Sequence, residues 1–183
     1  MNTSEIKNTE AWFDEITSEC LTLVEAKNKD YGDSWKILRA SSLTDQIFIK
    51  AKRIRTIQEK KENLVGDPID KEFIGIINYC IMAIYEMDKR SKHESWIKDF
   101  GLIFEDIKEL RRKKNQDYGE VWRELRISSM VDLILMKLMR LRFIEENAYV
   151  VKTSEEAFAS YQDIINYSIF CLIHIKENVD PMK

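Results

Sequence analysis

The stretch KNKDYGDSW at residues 27–35 returns as KNQDYGEVW at residues 114–122. A loop that only joined two helices would be free to differ between copies, so a charged, glycine-punctuated phrase written twice points to duplication of a whole structural unit. The repeat extends outward. At an offset of 87 residues, Leu38, Arg39, Ser41, Ser42, Asp45, Ile47, Lys50, Arg53 and Arg55 each meet an identical residue between Leu125 and Arg142. After one extra residue in the second copy, IINYCI at 76–81 meets IINYSI at 164–169. Two copies are too few for a solenoid, and a pseudo-twofold pair of helical units is the economical expectation.

Composition agrees with that expectation. Of 183 residues, 44% are hydrophobic and 33% charged, with only five Gly and two Pro, which suits a helical globule and supplies too little turn chemistry for a strand-rich fold. Apolar periodicity predicts long helices near 9–29, 41–61, 69–90, 93–116, 128–147 and 154–178, with short helical turns near 33–40 and 120–127. The expected fold class is therefore all-α: an internally duplicated bundle with three long helices per repeat. Residues 1–90 form the first repeat and 91–183 the second, sharing one core. The third helices are the most apolar, so 76–85 and 164–173 are expected at the centre, with enough apolar surface to support a homodimer as well.

A net charge of −3 and no basic run longer than RRKK at 111–114 argue against direct binding of duplex nucleic acid. The polar N-terminal segment does not resemble a signal peptide and no apolar run reaches the roughly 20 residues of a membrane span, so a cytoplasmic location is expected. Cys20, Cys80 and Cys171 lack metal-site spacing and sit among apolar neighbours, which suits reduced core thiols.

The informative positions are polar ones on apolar stripes. With the first helix's stripe drawn through Ile16, Cys20 and Leu23, Glu19 falls inside it, and the same wheel sets Asp106 beside Ile103 and Leu110. A buried carboxylate needs a partner. The third helices carry Asn78 and Asn166 on their apolar faces. Asp163 lies one turn before Asn166, and Glu72 stands comparably in copy one, although it aligns with Ser160 while Gly75 aligns with Asp163. Lys50, Arg53, Lys137 and Arg140 border the second helices' stripes.

Two readings of these groups stay open. One is structural: Glu19 pairs with Lys50 or Arg53, and Asp106 with Lys137 or Arg140. The other is a Mg²⁺ site, in which carboxylates including Glu19, Glu72, Asp106 and Asp163 hold a hard cation and lysines meet phosphates. In the repeated phrase, Gly32 and Gly119 are expected to be left-handed helix stops, and Trp35 and Trp122 to pack the turns onto the bundle. Asn28, Asp30 and Tyr31, with Asn115, Asp117 and Tyr118, would extend a pocket with groups suited to a base or ribose. Ser42 with Asp45, and Ser129 with Asp132, have a spacing close to a capping box. His93 and His174 are too isolated for a triad or a histidine-rich metal site.

The phrases KNKDYGDSW, SSLTDQIFIKAKRIR and EFIGIINYCIMA, with their second copies KNQDYGEVW, SSMVDLILMKLMRLR and YQDIINYSIF, resemble the family called nucleotide modification associated domain 1, from about residue 12 to 177. More distantly the arrangement is similar to the all-α nucleoside triphosphate pyrophosphatases of the MazG and dimeric dUTPase group, which hold Mg²⁺ with E-E-x-x-E and E-x-x-D stretches. EDIKE at 105–109 approximates the first, DEITSE at 14–19 only loosely, and each copy lacks one member of the second. That resemblance implies Glu19, Asp106, Glu109 and Asp163 as catalytic carboxylates, with Glu72 as a further metal ligand. It leaves two functions: a Mg²⁺-dependent pyrophosphatase acting on canonical or modified dNTPs, or a non-catalytic nucleotide-binding or structural module.

Overall fold

In the computed structural model, which describes residues 3–88, 93–147 and 154–181, each repeat supplies three long helices and one short 3₁₀ turn. The first repeat has α1 (Thr3–Tyr31), the turn Ser34–Ile37, α2 (Ala40–Lys60) and α3 (Ile69–Met87). The second has α4 (Trp96–Tyr118), the turn Val121–Glu124, α5 (Ile127–Glu146) and α6 (Ser154–Lys176). The described residues contain no strand. The chain is an internally duplicated all-α bundle, as its repeat requires. Residues 89 and 90, expected to end the third helix, lie outside the described residues.

Helix α3 packs on α6, α2 on α3, α5 on α6, and α2 on α5, so four helices build the centre. Helix α1 touches α3, α4 and α6, and α4 also reaches α3 and α6. Ile76, Ile77, Ile81 and Ile84 on α3, and Ile164, Ile165, Ile169 and Ile173 on α6, are fully buried. Each such side chain contributes roughly 1.5–3 kcal/mol, against about 0–1 kcal/mol for a surface ion pair, so this seam dominates stability. The segments expected at the centre are there. Their broad apolar surface is met by neighbours within the chain.

Two ion pairs express the pseudo-twofold symmetry. Arg142 on α5 reaches Asp45 on α2 at 2.5 Å, and Arg55 on α2 reaches Asp132 on α5 at 3.4 Å. These residues correspond pairwise between copies. The capping expectation for them is therefore corrected: α2 and α5 are preceded by Arg39 and Arg126 with no side-chain cap, which leaves Ser42 and Ser129 inside the first turn. Both carboxylates are turned across the interface instead.

The first helices also correct the reading of their stripes. The buried face of α1 runs through Phe13, Ile16, Thr17, Cys20 and Val24, and that of α4 through Phe100, Ile103, Phe104, Ile107, Lys108 and Arg111. On a 100° wheel Glu19 falls about 110° and Asp106 about 130° from the middle of these faces, and both are exposed. Counting Leu23 and Leu110 as core draws the stripes toward them. The inward polar groups are cations: Arg111 bonds Glu10, and Lys108 bonds Asp14, tying α4 to α1. Burial would raise the Glu10 carboxyl, but the Arg112 and Arg111 guanidiniums outweigh it and hold it below its usual value.

The repeated phrase closes each first helix. Gly32 has φ of 58° and donates its N–H to the Asn28 carbonyl at 2.8 Å, while Gly119 has φ of 64° and donates to the Asn115 carbonyl at 3.0 Å. Trp35 then packs edge-on against Tyr85 and Trp96, and Trp122 stacks on Phe170 at 4.3 Å. The tryptophans pack as expected and both glycines stop their helices at positive φ, but Gly119, with ψ of −157°, is extended rather than left-handed helical.

Candidate functional site

Between the second half of α1, the Trp35 turn and α3 lies a cleft of about 1200 Å³, lined by repeat one and by Trp96 at the start of α4. Its apolar wall includes Leu23, Ile74 and Met82, which explains why Leu23 is apolar without being core. Asn78, only 7% exposed, lines it, and the Asn78 Oδ1 has no hydrogen-bond partner. Leaving a buried acceptor unsatisfied costs about 1–3 kcal/mol. Trp35 also lines the cleft, with its indole N–H buried and unpaired. Tyr31, 71% exposed, stands at the rim.

Lys27, Lys50 and Lys71 supply the cleft's positive groups, and Gly75, the residue that aligns with Asp163, also lines it. Lys50 lies across this glycine, where an added Cβ would come within 2.7 Å of its Cε, and its ammonium reaches Glu72 at 3.1 Å. Glu72 is also held by Arg53 at 2.8 Å. Arg53 continues to Asn63 Oδ1 and the Asp67 carbonyl, so it ties down the segment between α2 and α3 and does not line the cleft. Lys27 is exposed and has no ion-pair partner among the described residues.

Repeat two is arranged differently. Asp163 on α6 accepts from Lys114 on α4 at 2.9 Å and from Lys137 on α5 at 2.7 Å, so one carboxylate joins three helices. Burial would raise its pKa, yet the two ammoniums hold it below the ordinary carboxylate range. Arg140 turns outward to Glu156 at 3.0 Å. Asn166 is buried at 6% exposure with its Oδ1 unpaired, like Asn78.

The structure thus gathers some expected site residues and scatters others. Glu19, Asn28, Tyr31, Lys50, Glu72 and Asn78 line one cleft. The Asn28 amide, oriented to satisfy its neighbours, donates to the Gly32 carbonyl at 2.9 Å and to Asp33 at 3.1 Å, so it also serves the turn. Asp30, Asp117 and Tyr118 are exposed, and Asn115 is half-buried with its carbonyl in the helix stop. Asp106 is exposed on α4, and Glu109 pairs with Lys113 one turn on at 3.2 Å. The expected pairs of Glu19 with Lys50 or Arg53, and of Asp106 with Lys137 or Arg140, are replaced by Glu72 and Asp163 as acceptors. Sequence reasoning notes Gly75 only as the counterpart of Asp163 and does not single out Lys27, which opens the repeated phrase.

Among the described residues no three of His, Cys, Asp and Glu come together in a group that could hold a metal ion. Glu72 and Asp163, the best-buried candidate ligands, are each neutralised by two cations. The donor set does not fit a Mg²⁺ ion held by the protein alone.

Fold and cleft together define a duplicated all-α bundle with an open cleft whose wall is largely apolar. Its sequence matches the family described as nucleotide modification associated domain 1 over residues 27–87 and again over 114–175, and the chain belongs to that family in two tandem copies. No curated protein and no solved structure matches it. No described helix is long and apolar enough to cross a membrane.

Proposed function

We propose that the chain is a nucleotide-processing protein that binds a nucleotide in the cleft of repeat one. The unpaired, buried Asn78 Oδ1 carries this reading, because it is an acceptor held ready for a donor such as a base or sugar N–H or O–H. Lys27 and Lys50 suit the phosphates, and the Trp35 and Tyr31 rings offer faces and an indole N–H for the base. Asn78→Leu keeps the volume and removes the acceptor. Calorimetric titration with each canonical and modified dNTP should show wild-type binding and a loss of about tenfold or more in the variant, since one unsatisfied bond is worth about 1–3 kcal/mol. Equal affinities for wild type and variant would sink the assignment.

The pyrophosphatase reading is the second. Glu19, Asp67, Asp70 and Glu72 line the same cleft as Lys27, Lys50 and Lys71, which favours it. The Mg²⁺ requirement belongs to this reading alone. Pyrophosphate release from dNTPs with Mg²⁺ would establish it, and the absence of turnover across the set would leave the binding module.

A further inference from the structure

We infer that Asp163 is a built-in copy of the anionic group that repeat one takes from its ligand, so that the chain binds one phosphate-bearing ligand, in the cleft that Lys27, Lys50 and Gly75 line. The inference rests on the nucleotide reading for the ligand's identity, but its geometry comes from comparing the two repeats. Lys114 and Lys137 are the counterparts of Lys27 and Lys50, and Asp163 is the counterpart of Gly75. In repeat two the carboxylate sits between both ammoniums, at 2.9 and 2.7 Å. In repeat one the glycine removes that carboxylate and leaves its two lysines lining an open cleft.

The neighbouring charges allow the exchange. Lys50 shares Glu72 with Arg53, so it can turn to a phosphate without stranding the carboxylate. Lys50 and Arg53 share one half-buried carboxylate, Glu72, and Lys27 lines the cleft with no ion-pair partner among the described residues, so two ammoniums are there to meet a phosphate. The other charged side chains of the cleft, Glu19, Asp67, Asp70 and Lys71, are exposed, as Lys27 is, so solvent screens them all alike. In repeat two the same place is filled from within. A ligand there would have to displace a carboxylate tethered to its own helix.

Calorimetric titration of the full chain with inorganic pyrophosphate, and separately with the dNTP set, tests this. Wild type should bind one equivalent of pyrophosphate. Gly75→Asp, which supplies the missing carboxylate, should abolish that binding while the melting temperature holds or rises. Asp163→Gly should add a second equivalent. Lys50's flexible end is all that an added side chain meets at position 75; if Gly75→Asp still fails to fold, Lys27→Met, at an exposed site, should weaken pyrophosphate binding about tenfold. Two equivalents per wild-type chain, no pyrophosphate binding by folded wild type, or unchanged binding by the variants would overturn the inference. Pyrophosphate binding with this pattern but no response to any dNTP would instead remove the nucleotide reading and leave the anion site standing.

Discussion

His174 shows how one residue can couple stability to pH. Its ring is 5% exposed and lies edge-on to Trp122 with centroids 5.5 Å apart, where burial outweighs the opposing pull of the Trp122 backbone. Burial pushes its pKa below the ordinary 6.5. A folded-state pKa below the unfolded one means that the unfolded chain binds the proton more readily. The stability gained from a neutral His174 is therefore present above about pH 6.5 and lost as pH falls through and below that value. Melting temperatures of wild type should fall from pH 7.5 to 5.5, and His174→Phe should lose less over that interval. Equal losses would show that the pH response arises elsewhere. Asp163 has the same sign in a lower window: its paired carboxylate stabilises above its unfolded value of 3.8 and ceases to as acid protonates it.

At the level of elements, the helix stop of the repeated phrase separates shape from chemistry. Gly32 has positive φ, and nothing lies within 4 Å of the place an added Cβ would take, so Gly32→Ala should cost only the left-handed conformational penalty, roughly 1–2 kcal/mol, with no clash. Asp30→Asn, at an exposed carboxylate outside the cleft lining, should leave both melting temperature and ligand affinity near wild type. Thermal melts and titrations of both variants check this; an unaltered Gly32→Ala melt would remove the conformational role. The phrase is legible as a helix stop because glycine, tryptophan and spacing act locally. Whether its polar residues face a pocket is not, because Asp30 and Asn28 differ only in how α1 is rotated against α3. Glu19 and Asp106 mislead for the same reason: a wheel gives relative angles, and the neighbours decide where its zero lies. Arg111, in a run that reads as solvated, is buried because Glu10 from another helix meets it.

For the whole molecule, Cys20, Cys80 and Cys171 report on the shared core. Each is fully buried, on α1, α3 and α6, and burial pushes all three thiols well above their usual pKa. Labelling by an aromatic disulfide reagent should be slower in buffer than in denaturant by at least ~10³-fold for each, since a domain of ordinary stability rarely opens globally. If Cys20 alone labels quickly, α1 detaches as a separate unit. The duplication and the central place of α3 and α6 can be read from sequence because self-similarity and unbroken apolarity are long-range patterns. The cleft cannot, since it forms where α1, the Trp35 turn, α3 and Trp96 of α4 meet, and no local pattern in the sequence records that meeting.

The reciprocal bridges Arg55–Asp132 and Arg142–Asp45 have a last consequence. A face that donates an arginine and accepts on an aspartate at matching positions is complementary to itself, so a lone copy of the unit could meet a twin through the same contacts. Joining the two in one chain replaces a concentration-dependent encounter with an effective concentration fixed by the tether. Once the halves cannot part, they need not stay alike: one can keep its pocket while the other fills it with its own side chain and becomes a permanent lining for its twin.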